Sequence, residues 1–327
     1  MLHAFLALAL VPASPEPEPP RDAAEHAPAA LLDLFAPPQG WSVGLEAAAA
    51  HAQGLMDGAR KLTRSEVLAQ GYAETPSALA EQRQVLSIGT SPCAGFTLHA
   101  ALPRVEKALD ARTAAGERLR LRAEGLGDLV LGAGLAQDKC ENERVAVGLT
   151  LHAPTGKVDA RDDRPGAPSS KLEYPLQIGS GTWDLTPSLA WRLHGDSWIW
   201  GLDFEGTLHN GHNSEGWARG DRFAAAGWAA YEWSPGFSGS LRLAAERWGN
   251  VRGADGELDP AATPAADAKK QSGERVDASL GLNWAPEGGL LRGGLVGLEL
   301  GAPLAQDLVG PQLAQDWFAT LGVTLSF

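Results

Sequence analysis

The chain of 327 residues carries 27 Lys+Arg against 40 Asp+Glu, a formal net charge of −13. That acidity argues against a nucleic-acid binder, which needs a basic face. At 44% the hydrophobic share is too high for general disorder. With 39 Gly, and 11 Trp against 3 Tyr, the composition fits a β-rich chain better than a helical bundle.

Residues 1–13 read as a secretory signal peptide. Leu2 to Val11 form a short apolar core, and Val11-Pro12-Ala13 fits the small-residue rule for cleavage after Ala13. Residues 14–40 are rich in Pro and charge and read as an extended linker. Within it, Ala29 to Phe35 has room for one or two helical turns. Beyond the N-terminus no apolar run approaches the roughly 20 residues of a membrane-spanning helix.

From Trp41 to Phe327 the dominant signal is a period of two. In the closing segment Trp317, Ala319, Leu321, Val323, Leu325 and Phe327 share one face, and Thr320, Gly322, Thr324 and Ser326 the other. In 198–209, Trp198, Trp200, Leu202, Phe204 and Leu208 oppose Asp203, Glu205, Thr207 and His209. An apolar face opposite a small or polar one is what a strand between lipid and a wet interior requires. Twelve such segments start near 41, 82, 95, 118, 143, 181, 197, 221, 237, 274, 290 and 316. The expectation is an all-β, transmembrane, antiparallel up-and-down barrel of about twelve strands over 41–327. An even number leaves both ends on one side.

The connections sort by length. Those after even-numbered strands are short, as at 91–95, 138–143, 194–197 and 234–236. Those after odd-numbered strands are mostly long, roughly 57–80, 156–180, 210–220, 250–273 and 303–315. Short periplasmic turns and long outer loops are the habit of outer-membrane barrels. Trp191, Trp198, Trp200, Tyr231, Trp233, Phe237, Trp284 and Phe327 fall near the short turns. Trp183, Phe223, Trp248 and Trp317 fall near the other rim, so two aromatic girdles are expected. Cys93 and Cys140 fall in two short turns on the periplasmic side. They are a disulfide candidate in an oxidising space.

Alternation also assigns candidate lumen residues. Arg118, Arg120, Arg122, Glu124 and Asp128 fall on the polar side of one strand, and Asp184, Asp203, Glu205, Arg242, Arg275 and Asp277 on inward positions elsewhere. They serve either as a paired, lumen-filling network or as a charged pore wall that sets selectivity. The Arg118/Arg120/Arg122 row puts three like charges on one face and should attract an anion or acidic partners. His209 and His212 lack a third ligand nearby. Asp159, Asp162 and Asp163 are interleaved with Lys157, Arg161 and Arg164, so no metal site is assigned.

Four ordered motifs resemble a known family. They are Gly125-Leu-Gly-Asp-Leu-Val-Leu131, Val147-Gly-Leu-Thr-Leu-His-Ala-Pro-Thr-Gly156, Tyr174-Pro-Leu-Gln-Ile-Gly-Ser-Gly-Thr-Trp-Asp-Leu185 and Pro303-Leu-Ala-Gln-Asp-Leu-Val-Gly-Pro-Gln-Leu313. Together, over roughly Trp41 to Phe327, the chain looks like the outer-membrane transporters of the meta-pathway of phenol degradation. The resemblance implies an outer-membrane protein that passes small, often hydrophobic or aromatic molecules, with membrane lipid and solute as its partners. The alternatives are a plugged structural or adhesive barrel and an outer-membrane lipid hydrolase. A hydrolase needs a Ser–His pair at the lipid face, where clean strands here carry apolar or aromatic residues, and no Gly-x-Ser-x-Gly elbow is present. No phosphate loop or dinucleotide fingerprint points to a cofactor. The sequence leaves the oligomeric state open.

Overall fold

The computed structural model describes residues 40–286, 288–289 and 292–327. The signal peptide at 1–13, the linker up to residue 39 and the Ala29–Phe35 segment lie outside these residues. The barrel strands, in chain order, are β1 (Gly40–Gly58), β2 (Glu74–Cys93), β3 (Phe96–Thr113), β4 (Arg118–Leu126, resuming as Leu129–Cys140), β5 (Glu143–Ala153), β6 (Trp183–His194), β7 (Trp198–Asn210), β8 (Arg222–Ser234), β9 (Phe237–Trp248) and β10 (Gly273–Trp284). The remaining extended run, Gly294–Ser326, is continuous but not straight. Its residues 296–308 pair antiparallel with β10 and its residues 308–326 pair antiparallel with β1. Side-chain Nε2 of Gln306 donates to the Gln315 carbonyl at 2.9 Å, although a straight strand would hold residues nine apart about 30 Å from each other. The run is therefore a hairpin of two strands, β11 and β12, folding back around the cis Gly310–Pro311 bond.

Parity gives the same answer. Each strand is antiparallel to its neighbour all the way round, and such a ring closes only with an even number. Twelve strands close it, as the alternation predicts. The sequence expectation of a loop at 303–315 is corrected, since Pro303 and Gly310 read as loop residues. Pro303 stands opposite Asp277 beside a shift in register, where the ladder tolerates a residue without an N–H. The predicted second strand starts at Glu74 rather than near 82.

Lipid-facing side chains follow the expected alternation. Leu45, Leu86, Ile88, Leu131, Val147, Leu189, Leu202, Leu241, Leu280 and Leu300 are exposed large hydrophobics on the outer face. Trp198, Trp200 and Tyr231 form a belt near the short turns, Trp198 stacked on Trp200 with ring centroids 5.9 Å apart and tilted against Tyr231 at 4.9 Å. Trp183 and Phe223 mark the opposite rim, both more than half exposed. Trp183 pairs with Asn210, twelve residues up β7 from Trp198. That is about 40 Å of strand and about 30 Å along the membrane normal at the usual tilt. Trp248 departs from the expected girdle. It points inward, and its Nε1 donates to the Gln271 carbonyl at 2.7 Å.

The disulfide expectation is also corrected. Cys93 and Cys140 are exposed free thiols. Cys93 pairs with Phe96 and Cys140 with Glu143, each across its own turn. Strand β3 stands between the two turns. That separation is about 10 Å, beyond the roughly 7 Å Cα limit for a bridge.

The outer loop after β1 carries one short helix, α1 (Arg64–Leu68). Thr63 caps it in a reciprocal box with Glu66, and Val67 anchors it on Leu55, Leu62 and Tyr72. The backbone N–H of Thr63 is the main cause that holds the Glu66 carboxyl down to about 2, followed by Arg60 and the Thr63 hydroxyl. A lowered value stabilises the folded form above the unfolded value near 4.5, and that support fades as pH falls toward 2. NMR chemical shifts of 64–68 should therefore stay helical down to about pH 4.5 and lose helicity between there and about 2. Glu66→Gln should abolish that transition.

Candidate functional site

The interior is built around a break in one strand. Strand β4 is interrupted at Gly127–Asp128, and Thr155 patches the gap. Its hydroxyl donates to the Gly127 carbonyl at 3.0 Å and accepts from the Leu129 N–H at 2.8 Å. The Asp128 carboxylate accepts the Gly156 N–H at 2.9 Å and the Ser180 N–H at 2.8 Å. Three of the sequence motifs thereby meet at one point. A Cβ on Gly156 would lie 2.8 Å from the Gly179 Cα and 3.0 Å from the Gly127 carbonyl carbon, so glycine is required where these backbones touch. Charge-assisted bonds of this kind are worth about 1.5–3 kcal/mol each.

Asp128 pins the 154–182 loop into the barrel. There Leu172, Leu176 and Ile178 pack on Val105 and Leu109 of β3 and Leu121 and Ala123 of β4. The plug's carbonyls are met by two basic side chains. Lys107 Nζ donates to the carbonyls of Pro175 at 2.8 Å and Gln177 at 3.2 Å. Arg219 donates to the carbonyls of Gln177 at 3.0 Å and Gly179 at 3.2 Å. Gln177 is itself fully buried, accepting the Ala160 N–H and donating to the Leu172 carbonyl. Lys107, Gln177 and Arg219 were not picked out from sequence. A signal existed for one of them, because Lys107 shares its face with apolar Val105 and Leu109.

Above the plug the outer loops form a small cap. Trp217 is buried against Tyr174, Val158 and Ala268, and the Tyr174 hydroxyl accepts the Asp255 N–H at 3.0 Å. Carboxylates of Glu215, Asp255 and Glu257 converge within 4.8 Å. The Lys171 ammonium stands among them, 2.7 Å from Asp255 and 3.8 Å from Glu257, and also bonds Glu215. That bond holds the Glu215 carboxyl below its usual range. The cation position is thus taken by a lysine, and the group acts as a clasp between loops.

The predicted lumen residues divide. Asp184, Asp203, Glu205, Arg242, Arg275 and Asp277 lie on inward positions of their strands. Asp203 accepts from Arg192 at 2.8 Å and from the Trp228 indole at 2.9 Å, with the Arg192 guanidinium 4.7 Å over the Trp228 ring. Arg275 bonds Asp277 at 2.8 Å and Glu246 at 3.3 Å, and Glu246 also holds Arg222 at 2.6 Å. Arg242 faces Glu299 at 3.5 Å. Asp184 accepts from the Thr182 hydroxyl at 2.5 Å and faces His209 at 3.7 Å. Glu205 is exposed to the lumen and makes no ion pair among the described residues.

Arg118, Arg120, Arg122 and Glu124 are the correction. All four are exposed, while Leu119, Leu121 and Ala123 between them are buried toward the plug. This upper piece of β4 rises beyond Ala153, where the paired part of β5 ends. It stands above the lipid band, so water lies outside it and protein inside. The polar face is therefore the outer one.

On the side of the ring away from the plug lies a cavity of about 970 Å³. Its inward lining includes Ser188, Glu205, Ala224, Glu246, Arg275 and Gln306, from β6 to β11. The interior is thus divided: β2–β4 carry the plug, and β6–β11 line free space. Among the described residues no helix is long and apolar enough to cross a membrane.

Residues 89–296 match the profile of a family described as "Putative MetA-pathway of phenol degradation". Among solved structures the fold is similar to the COG4313 outer membrane channel from Pseudomonas putida F1, at 18% identity and a TM-score of 0.63, over 90% of this chain and 98% of that one. It is also similar to the transport unit of the autotransporter AIDA-I from Escherichia coli, at 10% identity and a TM-score of 0.50, over 91% and 93% of the two chains. At these identities the likeness is one of fold. No curated protein matches the chain.

Asp128→Ala should free the 154–182 loop without melting the barrel. Hydrogen exchange at the Gly156 and Ser180 amides should quicken at least about tenfold, as loss of about 1.5–3 kcal/mol per bond requires. The thermal midpoint of the strands should stay within a few degrees of the parent.

Proposed function

The chain belongs to this family of outer-membrane barrels, and on that premise we propose that it passes small hydrophobic or aromatic molecules across the outer membrane through the free half of its lumen. The observation that carries the reading is the cavity of about 970 Å³ beside a tethered plug inside a closed barrel. Its volume falls in the range of sites that enclose a drug-sized molecule. The family description, with its reference to phenol, supports an aromatic solute.

In this reading the solute enters beneath the loop cap and travels along the wall of β6–β11. Trp228 and Phe318 present aromatic rings inward, the first over Gly201 and the second over Gly301. Glu205, Glu246 and Arg275 give the path its polar contacts, and Glu205, which makes no ion pair among the described residues, supplies negative charge to it. Passage is passive and the protein performs no chemistry on the solute. Residues 1–13 direct export and are cleaved after Ala13, and 14–40 link the cleavage site to the barrel. The runner-up is a barrel that the plug closes completely, with its loops as the working surface; the extent of the packed 172–178 segment favours it.

Planar-bilayer recording of the refolded protein separates the two. A transporter gives conductance steps that phenol-sized aromatic solutes block, and liposomes carrying it take up those solutes faster than empty ones. Folded protein that shows neither is a closed barrel. If the pore conducts, Glu205→Gln should lower the potassium-to-chloride permeability ratio about fourfold, the weight of one unit charge about 10 Å from a passing ion in water, counted once for the cation and once for the anion. Reversal potentials in a salt gradient read that ratio directly.

A further inference from the structure

The arginines that the alternation misassigned form a surface that the transport reading does not use. Arg112 of β3 stands directly opposite Arg118 of β4 in the register, and Arg120 and Arg122 follow at alternate positions on the same outer face. All four are exposed. Arg120 lies 3.8 Å from Asp110, and Arg104 below pairs with Glu124 at 2.9 Å. Arg112, Arg118 and Arg122 make no side-chain ion pair among the described residues. The acids around them are Asp110, two residues from Arg112 on the same face and diagonal to Arg118 and Arg122, Glu106 and Glu124, which face each other lower down, Glu117 beside Arg118, and Asp162, whose carboxylate accepts the Arg122 backbone N–H at 2.7 Å. On the neighbouring strand the outward positions are the uncharged Gln82 and Gln84, beside Glu106 and Arg104.

Two like charges opposed on a sheet face destabilise it unless an anion joins them. The chain as a whole is strongly acidic, at −13, so a local cationic row runs against its general charge. Its position is the second observation. Leu126, 55% exposed, is the last outward apolar residue of β4. Arg122 rises from it by about 10 Å along the membrane normal and Arg118 by about 20 Å, at the usual strand rise and tilt. The row thus begins where the outward surface changes from apolar to charged and climbs away from the bilayer. That is the depth at which the phosphorylated sugars of an outer-leaflet glycolipid stand.

We propose that Arg112, Arg118, Arg120 and Arg122 bind the phosphate groups of the glycolipid that forms the outer leaflet, and so fix this side of the barrel in its lipid surround. Guanidinium forks suit phosphate oxygens in pairs. The acyl chains of the same molecule then lie along Leu126, Leu102 and Leu86, which face outward just below.

The test uses the full chain refolded in detergent, with folding verified by heat-modifiable migration. Purified lipopolysaccharide, enzymatically dephosphorylated lipopolysaccharide and inorganic phosphate are titrated separately. The parent should bind the phosphorylated lipid at least tenfold more tightly than the dephosphorylated form, and added salt should weaken that binding. The triple variant R112Q/R118Q/R122Q should lose about fivefold per guanidinium removed, the scale for a basic residue at an anionic lipid surface. R112K/R118K/R122K should keep most of the affinity. If the triple variant does not fold, R118Q and R122Q alone should each lose about fivefold. Equal affinity in the Gln variants, or for the dephosphorylated lipid, overturns the proposal. Inorganic phosphate binding in the same concentration range as the lipid also overturns it, because the site would then be one for soluble anions.

Discussion

Hydrocarbon offers no hydrogen bonds, so a sheet inside it survives only if its first and last strands find each other. Here that depends on the seam between β1 and β12. At its lower end Trp41 and Phe327 exchange both backbone bonds, at 3.1 and 2.9 Å. Above them the register runs unbroken from Ser42 opposite Ser326 to His51 opposite Trp317. The β11–β12 hairpin, the even strand number and the placement of both ends at one rim all follow from closing that ladder. The inward and outward assignment of every side chain below the outer rim follows in turn. A slip of one residue would turn Glu46 toward lipid and Leu45 toward the lumen.

Closure explains what was legible in the sequence. Between the two aromatic belts each strand separates lipid from a polar interior, so the two solvents write themselves into alternate residues. Trp198, Trp200, Leu202 and Phe204 against Asp203 and Glu205 are read correctly for that reason. Above the outer rim the solvents exchange places, with water outside and packed loop inside. The same alternation at Arg118, Leu119, Arg120 and Leu121 then carries the opposite meaning, and periodicity alone does not tell which rule applies. Proline and glycine at 303–311 hid the last hairpin, because their turn chemistry occurs at a strand tip and a register shift.

The plug was legible only as motifs. Gly127, Gly156 and Gly179 lie far apart in the chain and meet in space; Gly156 and Gly179 must be glycine because of a backbone contact, and Gly127 because the Pro103 ring lies against it, and no local pattern records either. Asp128 was expected to be structural or lumenal, and its two backbone bonds make it the anchor of the loop that divides the interior. Lys107 and Arg219 were hidden further. Lys107 faces Glu81 across the strand pair at 3.5 Å, and both bases supply donors to carbonyls some forty to seventy residues away. Plug and free space thus come from one arrangement: the side of the ring that holds the loop gives up its volume, and the far side keeps its own.

The seam carries a further consequence. Because Trp41 and Phe327 are joined by hydrogen bonds as firmly as any internal pair, the order in which the strands are synthesised is not written into the finished wall. With the ends joined and the chain opened instead at a short turn such as that around Gly236, a permuted gene would encode the same cylinder, with every rung in place and a different strand inserted last. The barrel has a direction across the membrane, but around its circumference it has no beginning.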